Sequence, residues 1–189
     1  MAGTRALILD RDGVINRDVG YLHRIEDCVF TQGIVPLLQA FQASGFRLIV
    51  ATNQSGIGRG LFDEAAFQAL TRWMLAELAA HGIAIDAVYF APDHPTHGLG
   101  PYRRESGRRK PGPGMVLEAI AEFGLDPAAS WSLGDSERDM AAAAAAGIGT
   151  RVLLAPGEPF RTREDGVVVV PDLETVARLL AGQAGASGS

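Results

Sequence analysis

Apolar residues gather along the chain in short unbroken runs at Ala6–Leu9, Leu48–Ala51, Ile85–Phe90, Trp131–Leu133, Val152–Leu154 and Val167–Val170, each bounded by polar or turn-forming residues. Runs this short and without alternation are the pattern of strands buried on both faces. Between them the apolar positions take helical spacing. Phe67, Leu70, Met74 and Leu78 share one face of a helix that Asp63 can cap, with Phe62 packing on Phe67 and Gly82 ending it. Leu37, Leu38 and Phe41 mark a shorter helix stopping at Gly45. MVLEAIAEFG after Pro113 predicts a third, and the alanine run Ala141–Ala146, opened by Ser136 and closed by Gly147, a fourth. Strands alternating with helices predict an α/β fold: a central parallel sheet of Rossmann-like kind with helices on both faces, in three layers, because crossover helices must cover both sides. Ligands of such sheets bind beyond the carboxyl ends of the strands.

A chain of 189 residues has room for one domain with a substantial core. The reading places that domain at residues 1–181 and treats GQAGASGS, residues 182–189, as a disordered tail. The net charge of −5, with both signs mixed throughout, argues against a sequence-independent grip on nucleic acid or an anionic membrane. Cys28 is the only cysteine, so one chain can form no internal disulfide and no all-cysteine metal site. The opening MAGTRALILD does not resemble a secretion signal, and no run approaches the ~20 apolar residues of a membrane span. The expected setting is the cytoplasm.

The chemistry-bearing residues fall near the ends of the apolar runs. LILDRDGVIN delivers Asp10 and Asp12 to the end of the first one. If the extended conformation continues past Leu9, both face the same cavity, and a hard divalent cation such as magnesium relieves their repulsion. By itself the pair is equally compatible with two solvated acids. ATNQSGIGRG places Thr52, Asn53, Gln54 and Ser55 at the next exit, a set of donors suited to an oxyanion, though also ordinary loop chemistry. RRKPGPG holds Lys110 near a helix start, with Arg109 beside it able to offer forked donors to a second anion. A solvated basic turn has the same composition. In WSLGDSERDM, Asp135 is placed as a metal ligand, while Asp139 has the spacing of a capping partner for Ser136.

Together, and in this order, these stretches resemble the four motifs of the haloacid dehalogenase superfamily of phosphatases: DRDGVIN the first, ATN the second, the RKP lysine the third and GDSERD the fourth. The resemblance implies that Asp10 is a nucleophile forming an aspartyl-phosphate and Asp12 the acid and base. Magnesium (Mg2+) would sit on the carboxylates of Asp10 and Asp135 and the main-chain carbonyl of Asp12, with Thr52 and Lys110 holding phosphoryl oxygens. No inserted cap domain fits between the motifs, so loops must read the substrate.

RDGVINRDVGYLHRIEDCVF, ATNQSGIGRGLF and HPTHGLGPYRRESGRRKPGPGM narrow the resemblance to the heptose bisphosphate phosphatase family, with the histidinol-phosphate phosphatases as the nearest sister group. The similarity runs from about Leu7 to Leu180. It implies release of the 7-phosphate from a heptose 1,7-bisphosphate, the phosphorylated sugar being touched by Asp18, Val19, Gly20 and Tyr21, by Asn53, Gln54 and Ser55, and by Arg109. The protein is expected to act as a monomer on this small molecule, without nucleic acid or membrane as partner. The family's structural zinc site is built from a Cys-x-His and a Cys-x-Cys pair; here those positions are Ala91, Asp93, Ser106 and Arg108. His94 and His97 without a thiolate make a poor closed site. Structural zinc is therefore expected to be absent and the loop held by packing and hydrogen bonds. Histidinol phosphate or another small sugar phosphate is the alternative substrate. A phospho-ligand binding protein without catalysis is the alternative of another class.

Overall fold

The computed structural model describes residues 3–186. In chain order the elements are β1 (Ala6–Leu9), α1 (Ile34–Ala43), β2 (Arg47–Asn53), α2 (Ser55–Gly58), α3 (Glu64–Ala80), β3 (Ala87–Ala91), α4 (Gly114–Phe123), β4 (Trp131–Gly134), α5 (Glu137–Ala145), β5 (Thr150–Leu154), β6 (Arg161–Thr162), β7 (Val167–Val170) and α6 (Leu173–Ala186). They build a seven-stranded sheet of order β3-β2-β1-β4-β5-β7-β6, parallel except where β6 runs antiparallel to β7. The three-layer α/β arrangement expected from the chain pattern is therefore the one observed.

The two faces of the sheet follow from residue parity. Leu7 and Leu9 of β1 join Leu48, Val50, Trp131 and Leu133 in one core, covered by Phe41 of α1, Leu78 of α3 and Val176 of α6. Ala6 and Ile8 face the other way, with Ile49 and Ala51, onto Met115 and Ala119 of α4 and Ala143 of α5. Side chains two apart on a strand share a face, so one four-residue strand feeds both cores. Phe41, Phe46 and Trp131 pack edge to face, with ring centroids 5.0 Å apart for the first two and 5.3 Å for Phe41 and Trp131. Truncating Phe41 to alanine would cost about 3–5 kcal/mol by the usual price of a large core cavity.

Caps and stops fall close to where the pattern put them. Asp63 accepts from the Ala66 amide at 2.8 Å, and Phe62 and Phe67 lie in one buried cluster. Three elements are not foreshadowed by the chain pattern: the single-turn α2, β6 and α6. β6 is exposed and polar and exists only through its pairing with β7. α6 carries the chain through Ala186, so it enters the segment expected to be a disordered tail; residues 187–189 lie outside the described residues. Among the described residues no segment forms a separate cap domain. What covers the carboxyl edge of the sheet is loop: the stretch from Asp10 to Gly33, and the stretch from Pro92 to Pro113.

Candidate active site

The Asp10 amide extends the β1 ladder by one bond, donating to the Leu133 carbonyl at 3.0 Å. There the extended conformation stops, which corrects the expectation that it runs on to Asp12. The Arg11 carbonyl accepts from the amides of Ile15 at 2.8 Å and Asn16 at 3.1 Å, closing a turn. The physical reason is the arginine itself. Arg11 is 1% exposed and drives its guanidinium into the protein, where Nη2 lies 2.9 Å from Asp12 Oδ2 and also donates to the Leu22 carbonyl and Gln54 Oε1. A buried cation needs a paired anion, and Asp12 is that anion. Asn16 Nδ2 and Gln54 Nε2 each reach the same carboxylate at 2.9 Å. Three side chains thus fix the second acid, while the first keeps one oxygen on the Arg11 amide at 2.7 Å.

Gly13 follows with φ +82°, and a Cβ there would stand 1.8 Å from Asp135 Oδ2. Only glycine lets this turn and the Asp135 carboxylate share the space. Asp135 leaves the end of β4, and Asp139, four residues on, is buried against Gly134. Asp139 takes part in the expected capping box with Ser136. It does more than cap. Lys110 Nζ lies 2.5 Å from Asp139 Oδ1 and 3.1 Å from Asp10 Oδ1, and donates to the Ala51 carbonyl at 2.7 Å.

Lys110 does not come from a strand end, unlike Asp10, Thr52 and Asp135. β3 ends at Ala91, and a long loop brings the lysine back to the sheet. The Asn53 side chain docks it there as a strand would, donating to the Lys110 carbonyl and accepting from its amide, both at 3.0 Å. Thr52 is buried beneath, with its Oγ1 accepting from Gln54 at 3.0 Å.

Burial raises the Asp10 carboxyl to about 7 against the pull of Lys110, with the Asp139 charge adding to the rise. Asp135 is raised to about 6, by burial first and then by Asp139 and Asp18. For Lys110 burial favours the neutral amine, but Asp10 and Asp139 outweigh it and the net shift is upward. Asp10, Asp135 and Asp139 each offer an oxygen within 4.8 Å of the others. Carboxylates that gather so closely suit a hard cation with oxygen ligands. Asp139 is already spoken for by Lys110 and Ser136, so Asp10 and Asp135 are the acids best placed to hold one.

These groups floor a cavity of about 500 Å³. Its lining also includes Asp12, Asp18, Gly20, Tyr21, Asn53, Gln54, Ser55 and Arg109, so most of the expected site residues converge. Thr52 and Val19 do not line it; Val19 is exposed on the outside of its loop. The rim also holds Arg59, His94 and Arg138. Burial, then the charges of Arg138 and Arg59, lower the Arg109 pKa from its ordinary value. Arg59 lies over the Tyr21 ring, 5.7 Å from its centroid. Arg138 and the inward turn of Arg11 were missed in the chain pattern. A signal existed for Arg11, a cation wedged between two acids at the end of a buried strand, and for Arg138, which sits in the first turn of the helix after Asp135.

The positions aligned with zinc ligands are otherwise engaged. Ala91 closes β3, Asp93 pairs with Arg104 at 2.9 Å, and Arg108 pairs with Glu118 at 3.0 Å. His94 Nδ1 accepts from the His97 amide within its own turn.

Residues 3–147 match a family model described as a haloacid dehalogenase-like hydrolase. The chain is similar to the D-glycero-alpha-D-manno-heptose-1,7-bisphosphate 7-phosphatase of Burkholderia mallei, at 47% identity covering 98% of each chain. It is also similar to the D-glycero-beta-D-manno-heptose-1,7-bisphosphate 7-phosphatase of Vibrio cholerae, at 44% identity over 87% of this chain and 89% of that one. Among solved structures it resembles the D,D-heptose 1,7-bisphosphate phosphatase of B. bronchiseptica in complex with magnesium and phosphate, with a TM-score of 0.80, 31% identity, and coverage of 95% of this chain and 99% of that one.

Proposed function

The chain belongs to the haloacid dehalogenase-like hydrolases, and from that premise we propose that it is a phosphatase removing the 7-phosphate of D-glycero-D-manno-heptose 1,7-bisphosphate, the substrate named for its relatives. One observation carries the reading: the cavity has a floor of paired acids and lysine under a rim of arginines that have no carboxylate partner among the described residues. Such a site can react with one phosphate while it holds a second.

Phosphate monoesters hydrolyse so slowly in water that enzymes supply accelerations of up to about 10²¹-fold for this class. The loose transition state asks for alignment and for cancelled charge. Asp10, fixed by the Arg11 amide and Lys110, attacks phosphorus in line through its free carboxylate oxygen and forms an aspartyl-phosphate. Asp12 acts as the general acid that supplies a proton to the leaving sugar alkoxide. It then takes one from the water that hydrolyses the aspartyl-phosphate. Arg11, Asn16 and Gln54 hold its carboxyl in place for both steps. Lys110 neutralises phosphoryl oxygen charge and pulls the Asp10 pKa down against the effect of burial. Asp10 and Asp135, with the main-chain carbonyl of Asp12, would hold magnesium, which would supply further positive charge at the phosphoryl oxygens. Thr52 acts from below the floor, through the Gln54 amide it binds.

The sugar lies against Asp18, Gly20 and Tyr21 on one side and Asn53, Gln54 and Ser55 on the other, and Arg109 meets the second phosphate. Val19 serves the backbone of its loop. The protein works as a cytoplasmic monomer on a small molecule. The net charge of −5 fits the absence of nucleic acid among its partners, and among the described residues no helix is long and apolar enough to cross a membrane. The Asp93–Arg104 and Arg108–Glu118 pairs support a loop that needs no structural zinc. Stoichiometric zinc in protein purified without chelators would overturn that part.

The deciding measurement compares kcat/KM for both anomers of heptose 1,7-bisphosphate with that for histidinol phosphate. Preference for a heptose anomer is expected; preference for histidinol phosphate would overturn the assignment.

A further inference from the structure

Asp93 is 2% exposed and takes no part in the catalytic floor. A buried carboxylate must find a cation, and it finds one from the same loop. Arg104 presents two N–H groups to its two oxygens, Nε to Oδ1 at 2.9 Å and Nη2 to Oδ2 at 3.3 Å. The fork-to-fork geometry sets orientation as well as distance. Arg104 itself is 66% exposed, so the pair closes the loop from the outside inward.

The main chain of the same residue reaches the cavity. The Asp93 carbonyl accepts from Arg109 Nη1 at 3.3 Å, a bond that joins the start of the loop to its end. Arg109 has reason to need such an anchor. It shares the rim with Arg59 and Arg138, whose like charges face it across the same cavity. Parallel ties hold the loop backbone: the His94 amide donates to the Tyr102 carbonyl at 3.0 Å, and the Leu99 amide to the Gly58 carbonyl at 2.7 Å.

We propose that the Asp93–Arg104 pair is a positioning device, fixing the Asp93 carbonyl so that Arg109 points into the cavity at the anionic group on the far end of the substrate. It rests on the reading of a bisphosphate substrate and adds residues that touch neither phosphate.

The test is steady-state kinetics of the full chain with magnesium on two substrates, heptose 1,7-bisphosphate and heptose 7-phosphate, which lacks the second phosphate. Arg104→Met changes an exposed side chain and leaves the floor untouched. Its KM for the bisphosphate should rise about tenfold, the scale of one lost oriented charge contact, with kcat little changed. Both constants for the monophosphate should stay within about twofold of the parent, since uniform binding to the floor is unaltered. Arg104→Lys, which keeps the charge but not the fork, should fall between parent and methionine variant. Asp93→Asn should reproduce the methionine variant. Equal losses on both substrates would mean a merely structural role, and no change on either would mean no role; both overturn the proposal. A parent enzyme indifferent to the second phosphate would remove the bisphosphate reading and the positioning role together. A discriminating parent beside variants that discriminate as well would overturn the positioning role alone.

Discussion

The floor of the cavity and its rim are built on opposite principles. On the floor the charges answer one another: Lys110 lies against Asp10 and Asp139, and Arg11 against Asp12. Lys110, Asp139 and Arg11 are buried, and their partners are backbone and neighbouring side chains. On the rim Arg59, Arg109 and Arg138 face one cavity with, among the described residues, no carboxylate bonded to them; Arg59 lies over an aromatic ring and Arg109 donates to a main-chain carbonyl. Charges satisfied within the protein are preorganised for a reaction that is the same whatever the leaving group. Like charges left facing each other gain only when an anion enters, so they select what is bound. Chemistry belongs to the floor and choice to the rim.

The comparison can be broken most directly at Asp10. Asp10→Asn should reduce turnover by at least about 10⁴-fold on heptose bisphosphate and monophosphate alike, because a carboxamide is no nucleophile toward phosphorus. Circular dichroism should show the fold retained, and residual turnover near the parent rate would reassign the nucleophile. Lys110→Ala should lower kcat by about 10²–10³-fold on both substrates. It should also destabilise the protein by about 3–5 kcal/mol in denaturant unfolding, since Asp10 and Asp139 would stay buried without their cation. A loss confined to the bisphosphate would place Lys110 on the rim instead.

Arg138→Ala should act the other way round, costing about tenfold in KM for the bisphosphate and sparing the monophosphate, as expected of a single charge-assisted contact. Equal effects on both would erase the distinction between the two regions. The smallest effect expected is a linkage one. Asp10 at about 7 and Asp135 at about 6 both lie above the ordinary carboxyl value of 3.8, so between pH 4 and 7 the folded protein holds protons more tightly than the unfolded chain. Stability of the metal-free protein should therefore fall as pH rises through that window. Magnesium should raise the melting temperature by a few degrees at pH 7.5 and by less at pH 5, where the carboxyls keep their protons. A shift independent of pH would separate the metal from these acids.

Much of the molecule could be read from the chain because it depends on neighbours. The six parallel strands follow from runs of buried residues, and β1 and β7 match the expected runs to the residue. Asp63 caps α3 through an amide three residues on, and Ser136 with Asp139 caps α5 in the same way. β6 escaped because two exposed residues have no periodicity; the partner strand alone makes them a strand. The turn after Asp10 escaped for a different reason. Alternation treats Arg11 as an outward polar residue, while its guanidinium finds Asp12, the Leu22 carbonyl and Gln54 inside.

By itself the amino-acid sequence determined the layered α/β architecture and the acids, amides and lysine from which the floor is made, since periodicity, caps and motif spacing act within a few residues along the chain. Only the tertiary structure decided that Asn53 docks Lys110, that Asp139 pairs with it, and that Arg59, Arg109 and Arg138 meet across the cavity. Those contacts join residues far apart in the chain. Their energies come from burial and from charges brought together by the fold, which no local pattern encodes.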